Sequence, residues 1–297
     1  MKSNFGGFIL SYLMDDKIKR ENRIKVHHEQ VDWWIQNTDI NLKILAMNYR
    51  EEDFQNDYIS MNRIEYFIMP PMKTTIARNK LFEIFYSSEY DWGIIMDNDS
   101  TLYNNIQHNS GHKLFSEMDK QIELYRNINI FFPINPVSTP FTKTINDEIH
   151  IQNHVFNRNL GLKASLFVMQ NFRRKKEKEL WLDERFDYYE DRKMALDAIF
   201  NGYRVYCCEN IVLKEGGQLS SSFDDGDSKK RREPIKQANR LIIDDYGLEG
   251  MQLKSTENST IGEMLVSKKF INKHWKGKQK EVILKPSTDY LSKNLIG

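Results

Sequence analysis

Two spacings of apolar residues alternate along the first 135 residues. Short continuous runs rich in branched and aromatic side chains are separated by longer segments in which apolar residues recur every three or four positions. The short runs predict strands at Gly7–Leu13, Leu42–Met47, Ile64–Met69, Gly93–Met96 and Ile128–Phe132. The longer segments predict helices over Arg23–Gln36, through Ile24, His27, Val31 and Trp34, and over Thr75–Tyr86, through Ile76, Leu81 and Ile84 or Phe85. Strand and helix in alternation predict an α/β fold, a mostly parallel sheet flanked by helices, whose sites form beyond the carboxyl ends of the strands.

The pattern changes after residue 135. Residues 136–160 are irregular and Leu162–Met169 reads as a strand. The charged run Arg173-Arg174-Lys175-Lys176-Glu177-Lys178-Glu179 reads as a solvated helix face. A helix is expected from the Tyr189 region to Phe200, ended by Gly202 ahead of a strand at Tyr203–Cys208. Residues 215–234, rich in Gly, Ser and charge, predict a mobile loop. A helix over Pro234–Tyr246 follows, then a lysine-rich tail.

Composition adds limits. Of 297 residues, 40% are hydrophobic and 29% charged, as in a soluble globular protein, and no run of about 18 apolar residues offers a membrane span. The apolar stretch Phe5–Met14 contains Tyr12 and two glycines and runs into Asp15 and Asp16. It therefore reads as a buried first strand instead of a signal peptide. The two cysteines, Cys207 and Cys208, are adjacent and point to opposite faces of a strand, so neither a disulfide framework nor a cysteine zinc site is expected, in keeping with a cytoplasmic location. The net charge of +1 is uneven: residues 1–162 hold 17 Lys/Arg against 21 Asp/Glu, and residues 163–297 hold 26 against 21. The balances of −4 and +5 permit a polyanionic partner for the second half.

The strongest chemical signal is Trp92-Gly93-Ile94-Ile95-Met96-Asp97-Asn98-Asp99, a buried strand running straight into two carboxylates separated by one residue. Carboxylates at a strand end must be solvated, paired or bound to metal. A polar turn is the plainer reading. The chemical alternative is a Mn²⁺ or Mg²⁺ site, since these hard cations prefer oxygen ligands and bridge carboxylates to a diphosphate. No glycine-rich dinucleotide or phosphate-loop motif is present.

Three elements in order resemble the A-type (GT-A fold) glycosyltransferases: Ala77-Arg78-Asn79 on a helix, then Asp97-Asn98-Asp99, then Glu190-Asp191 opening a helix that closes at Gly202 before a strand. The resemblance spans roughly residues 5–215. It implies a nucleotide sugar as donor, a UDP sugar being favoured, with the donor and metal held by Asp97 and Asp99 and Asp99 the direct ligand. It implies that Arg78, with Asn79, contacts the nucleotide or its phosphates. It further implies that Asp191, beside Glu190, is the general base of an inverting hexosyl or pentosyl transfer. Helix N-terminal acids complementing the macrodipole are the plainer reading of Glu190 and Asp191. Many members carry a histidine ligand after the last core strand. Here that stretch reads Val212-Leu213-Lys214-Glu215-Gly216, leaving Lys214 to neutralise phosphate or Glu215 to bind metal. On this footing residues 1–215 are the catalytic domain, donor side mainly 1–135 and acceptor side mainly 136–215. Residues 216–297 are a mobile loop and a helical, lysine-rich C-terminal extension.

For the acceptor, the basic second half resembles what bacteriophage DNA-modifying glycosyltransferases need. Lys229, Lys230, Arg231, Arg232, Lys268, Lys269, Lys273 and Lys276 would meet phosphates of double-stranded DNA carrying hydroxymethylated pyrimidines, and Trp275 would stack on or replace an extruded base. A host cytoplasm would then be the location. A sugar hydroxyl of a surface polysaccharide or glycan is the alternative acceptor, a metal-dependent nucleotidyl- or phosphotransferase the alternative enzyme, and a binding module with a decayed site the non-enzymatic one.

Overall fold

The computed structural model describes residues 3–54, 62–98, 100–104, 115–116, 118–119, 122–123, 128–134, 142–145, 148–151, 166–203, 205–215, 228–246, 251–254 and 263–266. The strands are β1 (Phe5–Tyr12), β2 (Leu42–Met47), β3 (Ile64–Met69), β4 (Trp92–Asp97), β5 (Ser100–Asn104), β6 (Ile130–Ile134), β7 (Thr142–Ile145), β8 (Glu148–Ile151), β9 (Leu166–Gln170), β10 (Val205–Glu215), β11 (Met251–Lys254) and β12 (Glu263–Val266). The helices are α1 (Lys17–Asn37), α2 (Thr74–Tyr86), α3 (Glu190–Phe200) and α4 (Ser228–Tyr246).

Eight strands form one sheet in the order β3-β2-β1-β4-β9-β6-β10-β5, and β7 with β8 and β11 with β12 form two small hairpins. The pairs β3/β2, β2/β1, β1/β4 and β6/β10 are parallel, while β9 runs antiparallel to β4 and β6, and β5 antiparallel to β10. Six strands therefore end at one edge of the sheet, as the alternation of strand and helix predicts. The chain moves outward from β1 to β3 and then returns to place β4 on the other side of β1. That reversal makes the β1/β4 boundary a topological switch point, beyond whose carboxyl strand ends α/β sheets place their ligand sites.

The parallel strands are apolar on both faces because both are covered. Phe8, Leu10 and Ile95 face a core shared with Ala77, Leu81, Phe82 and Phe85 of α2 and Met194, Ala195 and Ala198 of α3. Ile9, Ile44, Ile94 and Met96 face the opposite core with Val31 and Trp34 of α1. At Gly93 the Phe85 ring lies so close that an added Cβ would sit 2.7 Å from its carbons, which accounts for the glycine inside a strand. Among the described residues no helix is long and apolar enough to cross a membrane.

Several expectations are corrected. Helix α1 begins six residues earlier than its apolar spacing indicates, because Asp16 caps it through a 2.9 Å bond from the Lys19 N–H. The charged run 173–179 forms turns and irregular chain, with Arg173 paired to Glu83 and Glu179, and Arg174 to Asp91. Lys214 and Glu215 lie within β10, which runs seven residues beyond Cys208. Lys229, Lys230, Arg231 and Arg232 belong to α4, which starts at Ser228, six residues ahead of Pro234.

Candidate active site

Beyond the carboxyl ends of β1 and β4, three separate stretches of sequence meet on one side chain. Arg78, in the second turn of α2, is buried. Its Nη2 donates to both carboxylate oxygens of Asp97 at 2.9 and 3.0 Å, and its Nη1 donates to Glu190 Oε1 at 2.5 Å. Asp97 is the last residue of β4 and Glu190 the first of α3, so one guanidinium ties the sheet edge to the helix that carries Asp191. Burial works to lower the Arg78 pKa. Asp97, Glu190 and Asp191 outweigh it, and the guanidinium is held charged above its ordinary value. Burial pushes the Glu190 carboxyl up from the usual carboxylate range, Arg78 opposing and the charges of Asp191 and Asp97 adding.

The backbone around these groups is specifically held. Tyr189, whose carbonyl accepts the Lys193 N–H at 2.9 Å at the start of α3, has a left-handed φ of 63°, uncommon for an aromatic residue. The chain turns sharply there just before Glu190. Asn79 faces the 182–184 segment: its side-chain NH₂ donates to the Leu182 carbonyl at 2.9 Å and to Glu184 Oε1 at 3.2 Å, and its Oδ1 accepts the Leu182 N–H at 2.8 Å. Its amide thus aligns the chain leading into α3. Lys73 adds to that hold through the Glu184 carbonyl at 2.7 Å and Asp187 at 2.7 Å.

Gln30 of α1, unremarked in the sequence, donates from Nε2 to the backbone carbonyls of Asp97 and Ser100, each at 2.6 Å, and Trp34 Nε1 reaches the Ser100 carbonyl at 3.3 Å. Only the break that a buried amide makes between His27, Val31 and Trp34 on one helix face signals it. The β10/β5 register sets Lys214 opposite Thr101 and Glu215 opposite Ser100, so the end of β10 lies beside the residue that follows Asp99.

The structure therefore brings together Arg78, Asp97, Glu190 and Asp191, with Asn79 bracing the approach and the backbone of Lys214 alongside. Asp99, Lys268, Lys269, Lys273, Trp275 and Lys276 lie outside the described residues. Among the described residues no group of three or more His, Cys, Asp or Glu gathers as a metal site. Asp97 still suits a hard cation: a carboxylate has about four acceptor positions, and Arg78 occupies two.

No family model and no curated protein matches the sequence. Solved structures match in fold. The mannosyltransferase PcManGT of Pyrobaculum calidifontis, in complex with GDP-Man and Mn²⁺, superposes with a TM-score of 0.51 at 11% identity over 81% of this chain and 65% of that one. Residues 1–349 of S. aureus TarS, in complex with UDP-GlcNAc, give a TM-score of 0.49 at 11% identity over 81% of this chain and 66% of that one. The chain thus spans just under two thirds of the mannosyltransferase and of TarS 1–349, and 40% of the longer TarS chain. The fold shared with the mannosyltransferase is the GT-A type, a mostly parallel sheet between helices.

Proposed function

We propose that the chain is a glycosyltransferase that moves a sugar from a nucleotide donor, a UDP sugar being favoured, to an acceptor hydroxyl with inversion. The observation that carries this reading is the Arg78 bridge between Asp97 at the end of β4 and Glu190 at the start of α3. It supports reading the Asp97 end of β4 as the donor side and Asp191, beside Glu190, as the base, at the strand ends where α/β sheets bind ligands. The GT-A fold, and a neighbour of that fold solved with GDP-Man and Mn²⁺, support the same reading.

In this mechanism Asp191 accepts the proton of the acceptor hydroxyl as its oxygen forms a bond to the anomeric carbon, and the bond from that carbon to the diphosphate breaks. Arg78 stays charged and immobile, so it orients Asp97 toward the donor without reorganising during transfer. Glu190 holds Arg78 from the other side and so sets where α3 presents Asp191. Asp99, with Asp97, would hold Mn²⁺ or Mg²⁺, which when bound neutralises charge on the leaving diphosphate. Lys214 and Glu215, at the end of β10, are candidates for contacts to the same phosphates and cation.

The acceptor is proposed from charge alone. A hydroxymethylated base in duplex DNA rests on the basic second half of the chain, and a glycan hydroxyl is the alternative. A panel of UDP and GDP sugars, scored by nucleoside diphosphate release with hydroxymethylated duplex, with glycans and with neither acceptor, tests both levels. Release that depends on one acceptor and on Asp191 is expected. Release of pyrophosphate or inorganic phosphate instead would overturn the glycosyltransferase reading in favour of a nucleotidyl- or phosphotransferase.

A further inference from the structure

Helix α1 meets the sheet through a buried face that includes His27, Val31 and Trp34, and Gln30 stands in the middle of it at 2% exposure. Leucine or methionine would fill that space without burying an amide. The amide's orientation is set by its donor side: Nε2 bonds two carbonyls at 2.6 Å, while Oε1 is buried with no partner among the described residues. The two carbonyls are those of Asp97 and Ser100, where β4 ends and β5 begins. Only Asn98 and Asp99 lie between them in the sequence. One side chain therefore bonds the carbonyls on either side of the Asn98-Asp99 pair.

We infer that Gln30 is a positioning residue that sets the Asp97–Ser100 turn for cation binding. The inference rests on the donor-site reading above and adds to it a residue from an element that carries none of the three motif stretches. Gln30 touches neither donor nor acceptor in this reading; it acts through the Asp97 and Ser100 carbonyls that it bonds. Groups that orient metal ligands in this way typically change affinity about 10–100-fold when removed.

The test is Gln30→Met, which keeps the length and loses both donor bonds. Gln30→Asn, one methylene shorter and still polar, serves if the first variant fails to fold. Folding is checked by thermal denaturation. Mn²⁺ affinity is measured by electron paramagnetic resonance titration in the presence of UDP, and the metal concentration dependence of transfer is separated from kcat at saturating metal. The expected result is a Mn²⁺ Kd raised about 10-fold or more, with kcat at saturating metal lowered less than about 3-fold. A folded variant that binds Mn²⁺ as the wild type does overturns the role of Gln30 and leaves the donor-site reading intact. Wild-type protein that binds no Mn²⁺ with UDP removes the metal reading itself, and the positioning role with it.

Discussion

Two arginines are buried at the same edge of the sheet, and their surroundings differ in a way that separates structure from chemistry. Arg20, in the first turn of α1, pairs with Asp53, and the side chains are 7% and 5% exposed. Its Nε bonds Asp53 Oδ1 at 3.1 Å, its Nη2 bonds Asp53 Oδ2 and the Asn48 carbonyl, and its Nη1 lies 3.4 Å from the Met14 carbonyl. One acid balances one base, and the backbone beyond β1 and β2 takes up the remaining donors. Arg78 is as buried, at 8%, yet it faces Asp97, which is 31% exposed, and Glu190, with Asp191 adding a third negative charge. Three acids share one cation, with Asp97 at an open edge and burial raising the Glu190 carboxyl toward holding a proton. A closed neutral pair fixes loops; an open acidic cluster leaves capacity for a ligand cation or a proton.

The comparison is broken most directly by removing one acid from each cluster. Asp53→Asn should cost about 3–5 kcal/mol in urea unfolding, because it strands a buried guanidinium. Asp97→Asn should cost clearly less, since Glu190 still pairs with Arg78, and should instead abolish or sharply lower transfer. Equal stability losses in the two variants would erase the distinction drawn between the clusters.

Asp191→Asn sharpens the open side. Transfer at saturating donor should fall about 10²-fold or more, with nucleotide affinity unchanged and the melting temperature close to wild type. A variant that keeps its saturated rate and loses nucleotide binding would move Asp191 to the donor site.

The closed side responds to acid through His27, which packs edge-on against Tyr49 near the same loops. Burial, and secondarily the neighbouring His28, lowers its pKa to about 3. The unfolded chain binds the proton near pH 6.5 and the native chain does not. The stability contribution is therefore intact above pH 6.5 and is lost as pH falls from 6.5 toward 3, by up to about 1.4 kcal/mol per pH unit. His27→Gln should flatten that acid limb in urea unfolding curves taken between pH 4 and 7. An unchanged slope would show that other groups set it.

Much of this arrangement was legible in the sequence where signals are local. The apolar runs placed β2 and β3 with their observed ends, and the strand before Asp97 announced a carboxylate at a sheet edge. Other features follow from pairing between distant segments. Ser100–Asn104, outside every strand that the apolar pattern predicts, forms β5 with β10 supplying its ladder. Nothing local to Asp53 indicates that Arg20, 33 residues earlier, will claim it. Asn79, read as a nucleotide contact, turns its amide to the 182–184 segment, which no spacing in the chain reveals.

The sequence by itself determined the α/β class, the parallel half of the sheet and the residue types available for chemistry, because hydrophobic period and strand-end polarity are properties of neighbouring residues. Tertiary structure alone decided which charges share a site. Arg78, Asp97 and Glu190 became one cluster, and Gln30 came to bond the carbonyls of Asp97 and Ser100, because α1, α2 and α3 pack against a common sheet. Burial at that edge leaves each polar group needing a partner, and the fold, not the order of residues along the chain, sets which partners lie within reach.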